Sequence, residues 1–447
     1  MRGINDTYAP VVAFSTVRLF LITSLMLGWP SCSIDFSNAF IQAKRDTPLY
    51  MHLPRGFKSK PGHILKLIRS LYGAKDAPKL WITLLFKAIK KLGFNQSEYD
   101  PCMWYKPDIY IIIFVDDCGI CAKVDSLVDT FISDLEKEGF KLTKESSFAE
   151  FLGIQYTTMS NGDIHLTQQG LISKILTSTS LTDSNPNKLP SSTECLGINP
   201  DGEYMSEDWN YPSIIGMLLY LTTNTRPDLA FAVSQVARFT HTPKQSHAVA
   251  VKTIVRYLKG TLNMGTIVKK ATKMDLTCFV DADFAGLFKR DPDHSITSAK
   301  SRTGYIIKLG ECPLIWKSQL QPIISLSTAE SEYYALSQAM RVLLPLRGIA
   351  NELLSKVSFP SNLSTLKNNL RATVKEDNTS ALSLATEQRL TSRTRHYHVR
   401  WHFFWQSIND GKVEVIYVAT KDQDADYLTK GLPWVTFQAN RKRVQGW

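Results

Sequence analysis

The sequence predicts a mixed α+β unit, then a mostly helical stretch, then an α/β unit. Three observations predict it. Over residues 1 to about 160, helical patterns alternate with short apolar strands, the longest running from Tyr110 to Val115 (YIIIFV). From Leu166 to about Met264 the periodicity turns helical, broken by a polar Ser/Thr/Asn/Pro connection from Ser178 to Asp208. From near Met274 the order is three strands (TCFVDADF, GYIIKLG, PIISLS), a helix from Thr328, a strand (RATVKED), helices, a strand (VEVIYVAT) and a last helix around Asp426. The boundaries drawn on this pattern are 1–165, 166–270 and 271–435, with 436–447 as a tail.

Taken in order, the first element is the apolar run Leu19 to Trp29. Asp6 and Pro10 stand where a signal peptide carries a basic region, Arg18 borders the run, and it falls short of the ~20 residues a membrane span needs, so a buried helix is expected. In the helical stretch, Thr225-Arg226-Pro227-Asp228 predicts a helix start, with a capping residue and proline in the first turn. At 447 residues with 44% hydrophobic and 21% charged residues, the chain can bury sizeable cores without crosslinks, which excludes fibrous and wholly disordered classes. Seven scattered cysteines lack the dense spacing of a secreted disulfide framework and point to a reducing compartment. A net charge of +11 favours a polyanionic partner such as nucleic acid.

Two groups of acids carry the chemistry. Phe114-Val115-Asp116-Asp117 ends an apolar strand with two adjacent carboxylates, and Cys118 to Val124 returns as a second strand, so the acids sit on a hairpin turn. Paired carboxylates at a buried strand end repel one another unless a divalent cation neutralises them. Upstream, Asp35 closes the short apolar strand Ser33-Ile34-Asp35-Phe36, and three carboxylates with oxygen-only ligation suit Mg²⁺ or Mn²⁺. Asp35 taken alone reads equally as a turn or cap residue. Cys118-x-x-Cys121 lacks a second ligand pair and reads as strand packing rather than zinc. Lys58 to Lys91 holds nine basic side chains (Lys58, Lys60, Lys66, Arg69, Lys75, Lys79, Lys87, Lys90, Lys91) against the single acid Asp76, either a solvated face or a backbone-binding field.

The strings DFSNAF (Asp35 to Phe40), LPRGF (Leu53 to Phe57), LYGAKDAPKLW (Leu71 to Trp81) and FVDD (Phe114 to Asp117), continued by Phe151-Leu152-Gly153, Leu166-Thr167-Gln168 and RPDLAF (Arg226 to Phe231), resemble in order and approximate spacing the copia-type LTR retrotransposon reverse transcriptase. That resemblance implies polymerase palm and fingers over 1–165, a helical thumb or connection over 166–270 and a ribonuclease H-like domain over 271–435. It further implies that Asp35, Asp116 and Asp117 hold two metal ions, with Asp116 the stronger ligand, and that Phe40 is a steric gate against the ribose 2′-hydroxyl. Phe40 reads otherwise as an ordinary core residue. Arg55 and Gly56 match the family's nucleotide-contacting turn. The chain starts at a point which, in the family, lies after the first fingers strands.

In the α/β unit, Asp281, Glu330, Asp377 and Asp426 fall on successive elements, within strings that also resemble the family: VDADF, STAESEY, EDNTS and ADYLTK. The resemblance implies that these four hold two Mg²⁺ or Mn²⁺ ions for ribonuclease H. Asp281 and Asp283 share a strand face, so periodicity does not separate them, and Glu330 and Glu332 lie about 200° apart on a helix, so only one faces the site. Asp422 and Asp424 are further neighbours of Asp426. The stretch Gln388 to Asn409 interleaves Arg389, Arg393, Arg395 and Arg400 with Tyr397, Trp401, Phe403, Phe404 and Trp405, which suits a hybrid backbone, while His398 and His402 lack a third metal ligand.

The resemblance therefore implies an RNA- and DNA-dependent DNA polymerase with ribonuclease H. Its expected partners are RNA template, DNA primer, RNA–DNA hybrid and deoxynucleotide triphosphates, with no membrane. The expected location is the cytoplasm, in a retrotransposon particle, with nuclear passage. The rival expectation is a catalytically weak or inactive relic that still binds nucleic acid.

Overall fold

The computed structural model describes residues 7–58, 62–145, 148–270, 275–288, 298–359, 370–387 and 402–447. Lys60, the Met274 boundary and the segment carrying Arg389, Arg393, Arg395, Tyr397, His398, Arg400 and Trp401 lie outside the described residues. The chain forms two units rather than three, one of residues 1–152 with 352–364, the other of 153–351 with 365–447.

In the first unit, the apolar run opens as the expected buried helix, Phe14–Leu27, and not one helix among the described residues is long and apolar enough to cross a membrane. Gly28 ends it at φ 64°, a left-handed conformation that glycine reaches without Cβ strain. A six-stranded sheet follows, in the order Asn95–Gln96, Met103–Lys106, Ile109–Phe114, Asp117–Ala122, Ser31–Asp35, Thr143–Glu145. Its central strands are nearly continuous apolar runs because both faces are covered, with Ile111, Ile112, Ile113 and Ile120 fully buried. Cys118 and Cys121 are buried in that core, and burial pushes both thiols upward. A separate two-stranded hairpin, Lys44–Met51 with Leu65–Arg69, lies between this strand system and the amphipathic helix Ala77–Lys91 in the chain.

The second unit joins the predicted helical stretch and the predicted α/β unit around one core. Ile172, Leu218, Val233 and Val255 from helices Gln169–Ser178, Tyr211–Asn224, Ala230–Ala237 and Gln245–Gly260 pack with Ile306, Trp316, Leu428 and Phe437. A boundary near 270 follows the change in periodicity but not the burial, because the helices, packed on one another, share one core with this sheet. The sheet has five strands in the order Cys312–Leu320, Arg302–Leu309, Leu276–Asp283, Ala372–Glu376, Val413–Tyr417; the first three are antiparallel, and the last two run parallel to Leu276–Asp283.

Three expectations are corrected here. The third strand is Cys312–Leu320, not PIISLS, which becomes the loop before helix Thr328–Lys356. Thr225 does not cap a helix. Its hydroxyl donates to Gln168 Oε1 at 2.9 Å, Pro227–Leu229 forms a 3₁₀ turn, and the α-helix begins at Ala230. Residues 436–447 are not a tail: helix Trp434–Gln445 buries Phe437, Asn440, Arg441, Val444 and Gln445. Gln445 Nε2 donates to Asp228 Oδ1 at 3.1 Å, and Asp228 in turn takes Arg226 at 2.8 Å in a fully buried pair. Despite its burial, the Asp228 carboxyl lies below its ordinary value because Arg226 and the Tyr257 hydroxyl hold the anion.

Candidate active sites

The first site is built where two strands end side by side. Antiparallel register sets Asp35 directly opposite Asp117, and the Phe36 N–H donates to the Asp116 carbonyl at 3.0 Å. The turn between strands is made by Val115 and Asp116, with Val115 at φ 57°, a left-handed conformation costly for a β-branched residue. Trp81, fully buried, offsets that cost by donating Nε1–H to the Val115 carbonyl at 2.5 Å, and its ring packs edge-on against Phe36 and Phe140. Burial first, then the neighbouring carboxylates Asp116, Asp35 and Glu145, push the Asp117 carboxyl up to about 6. Asp35 is raised by its own burial and then by Asp116 and Glu145. Glu145, which accepts from Ser33 Oγ at 2.6 Å, is a fourth acid that sequence reasoning missed, because it arrives on a three-residue edge strand with no apolar pattern.

Phe40 is half-buried and packs, its ring tilted 45° and 4.7 Å between centroids, against Tyr72, which is 48% exposed. The Tyr72 phenol is raised by partial burial and then by the charges of Asp116 and Asp35, so it stands in the field of the acids. Arg55 and Gly56 are exposed in the connection between the hairpin strands Lys44–Met51 and Leu65–Arg69. Tyr72, inside LYGAKDAPKLW, is the aromatic in contact with Phe40. Of the basic field, Lys79 and Lys87 line a groove of about 770 Å³ with Lys44 and Arg69, whereas Lys91 is paired with Glu138 at 2.7 Å. The field's lone acid, Asp76, is held by a bidentate pair with Arg45 at 2.8 and 2.7 Å.

The second site lies at the junction of strands Leu276–Asp283 and Ala372–Glu376, where oxygens of Asp281, Asp377 and Asp426 come within 4.8 Å of one another. A second group, Glu332, Glu376 and Asp377, gathers to the same limit and shares Asp377. Asp35, Asp116 and Asp117 are not drawn that close. Gly304 makes the first gathering possible. It stands opposite Asp281 in the ladder, and a Cβ there would lie 2.6 Å from the Thr429 methyl, so only glycine lets the Asp426–Thr429 turn approach the sheet. The Thr429 hydroxyl donates to Asp281, and the Thr420 hydroxyl to Asp377 Oδ2 at 2.9 Å. Burial pushes Asp281 up to about 7, with Asp426 and Asp377 adding to the rise and Lys430 and Thr429 opposing it. Lys430 pairs with Asp426 at 2.9 Å, and the carboxylates hold its ammonium above the ordinary lysine value against the pull of burial.

Glu330 is not in either group, and its expected place is taken by Glu332. Glu330 stands in the first turn of helix Thr328–Lys356 and turns back to accept the Leu326 N–H at 2.7 Å, satisfying a backbone donor ahead of the helix. Two residues on, the helix has rotated by about 200°, which aims Glu332 at the sheet. Asp281, not Asp283, enters the group. Asp424 is separately engaged by Lys308 and Arg443.

Comparison with known proteins bears on both sites. Residues 2–193 match the family described as reverse transcriptase (RNA-dependent DNA polymerase). Across 97% of its length the chain is 30% identical to a retrovirus-related Pol polyprotein from transposon RE1 of Arabidopsis thaliana, and across 99% it is 28% identical to that from transposon TNT 1-94 of Nicotiana tabacum. The chain belongs to the copia-type retrotransposon reverse transcriptases. It spans 28% and 33% of the length of those two relatives. A putative transposon Ty5-1 protein of Saccharomyces cerevisiae, 29% identical, is covered over 99% of its own length by 69% of the chain. In this copia-type reverse transcriptase, the matched family region holds all four acids of the first site, Phe40 and Tyr72.

Proposed function

We propose that the chain is an RNA- and DNA-directed DNA polymerase with an attached ribonuclease H, acting on RNA template, DNA primer, RNA–DNA hybrid and deoxynucleotide triphosphates. The observation that carries this reading is the pair of carboxylate centres, one in each unit, both built on strand ends and served by oxygen donors alone. Oxygen-only donor sets with raised carboxyl pKa values suit hard divalent cations, Mg²⁺ or Mn²⁺. Bound there, such ions would supply Lewis-acid activation of an attacking oxygen and charge neutralisation of the leaving one.

The chain's own residues do the rest. In the first unit, Asp35, Asp116 and Asp117 would hold the cations, the Val115 turn fixing the direction of the last two. Phe40, backed by Tyr72, closes the space beside them and selects against a 2′-hydroxyl. Lys44, Arg69, Lys79 and Lys87 offer a sequence-independent grip on a phosphate backbone. In the second unit, Asp281, Glu332, Asp377 and Asp426 would hold the cations, oriented by Thr429 and Thr420, while Lys430 offsets part of the negative charge. Localisation in the cytoplasm within a retrotransposon particle, with nuclear passage, belongs to the same proposal. Primer extension and RNA-strand cleavage, measured together on the purified chain with Mg²⁺, test it; a chain that binds hybrid but does neither would contradict it.

A further inference from the structure

The second centre contains one carboxylate that neither the motif order nor the helix geometry called for. Strand Ala372–Glu376 turns Ala372, Val374 and Glu376 inward, so Glu376 occupies the third place in an otherwise apolar series. It is fully buried, and Glu332 beside it is 5% exposed. Glu376 accepts the Asn378 N–H through Oε1 at 3.1 Å, but Oε2 of Glu376 and Oε2 of Glu332 are buried with no hydrogen bond among the described residues. Burying an unpaired carboxylate costs several kcal/mol, and placing two near a third multiplies the repulsion.

The two groups that share Asp377 are compensated differently. Asp281, Asp377 and Asp426 have Lys430 among them, 2.9 Å from Asp426, with the Thr429 and Thr420 hydroxyls donating to Asp281 and Asp377. The charges acting on Glu332 are those of Glu376, Asp281 and Asp377, all carboxylates. Among the described residues, no cation counters these charges at Glu332 as Lys430 does at Asp426. Asp377, shared by the two groups, is half-exposed. A local rule broken without a visible compensating side chain marks a functional position.

We propose that Glu376 is a fifth carboxylate of this centre, and that Glu332, Glu376 and Asp377 together bind one divalent cation, Mg²⁺ or Mn²⁺, while Asp281, Asp377 and Asp426 bind another. The proposal rests on the ribonuclease H reading and deepens it. The test is Mn²⁺ binding to the full chain carrying Asp35→Asn and Asp116→Asn, which silence the first centre, followed by electron paramagnetic resonance of the free ion. This background is expected to bind two Mn²⁺. Adding Glu376→Gln weakens one of the two sites by about tenfold or more. The melting temperature in chelator stays level or rises, because a buried unpaired anion has become a neutral isostere. Glu376→Val, which completes the apolar series, gives the same binding loss in a chain that folds at least as well. Two sites of unchanged affinity in both variants would overturn the proposal and leave Glu332 and Glu376 as a proton-sharing pair. A background chain that binds no Mn²⁺ at all would overturn the ribonuclease H reading itself, a result distinct from the loss of a single site.

Discussion

Glu332 and Glu330 divide two tasks that opposite faces of one helical turn keep apart: one carboxylate reaches the sheet, and the other satisfies the Leu326 N–H. Glu332→Gln is accordingly expected to abolish cleavage of the RNA strand in a hybrid. Glu330→Ala should leave cleavage within a few-fold and cost about 1 kcal/mol of stability, the ordinary worth of a helix-terminal hydrogen bond; a gel-based cleavage assay and urea unfolding check both. Phe40→Ala is expected to raise ribonucleotide over deoxynucleotide incorporation, read by competitive primer extension, and an unchanged ratio would leave Phe40 with a packing role against Tyr72 alone. At this scale Asp281, Asp377 and Asp426 came from the family resemblance, periodicity left Asp281 and Asp283 unseparated, and Glu330 was expected where Glu332 stands, because spacing gives a relative angle and not an absolute one. Glu145 was illegible for a different reason: a three-residue edge strand at no patterned position brings it opposite Ser33. Lys430 lies inside ADYLTK and pairs locally with Asp426, four residues before it.

Elements place the acids, and small residues let the elements meet. Gly304→Ala should push the Asp426–Thr429 turn off the sheet, destabilising the second unit by about 1–3 kcal/mol and lowering cleavage with polymerisation spared. A thermal melt together with the two activity assays separates this from global unfolding. The pH dependence has a definite sign. Asp281 rises from its ordinary 3.8 to about 7, so the folded chain keeps a proton that the unfolded chain has already lost. Its contribution is fully present below about pH 4 and is lost as pH climbs toward 7. In chelator, the melting temperature should therefore carry a component that falls between pH 5 and 8 and that Asp281→Asn removes. In the α/β unit the succession of strands along the chain was legible from apolar runs and Gly/Pro punctuation except at Cys312–Leu320, where Pro313 and Lys317 mask a strand separated from Leu309 by only two residues. Helix Trp434–Gln445 was illegible because its buried face mixes Phe437 and Val444 with Asn440, Arg441 and Gln445, and the partners of the last two, Tyr257 and Asp228, lie far away in the chain.

At the scale of the whole molecule, the chain holds two carboxylate centres in two separately cored units. Periodicity suggested a third domain because the helices from Gln169 to Gly260 look self-contained, yet their apolar faces are completed by Trp316, whose Nε1 donates to the Thr222 carbonyl at 2.8 Å, and by Phe437. Separate centres make a reciprocal prediction. Asp116→Asn and Glu332→Gln, made singly in the full chain, are each assayed for primer extension and for hybrid cleavage with Mg²⁺. Asp116→Asn should lose extension by at least about a hundredfold and keep cleavage, and Glu332→Gln should do the opposite, since each substitution strips one cation ligand from one centre. Loss of both activities in either stable variant would contradict the assignment of one chemistry to each unit.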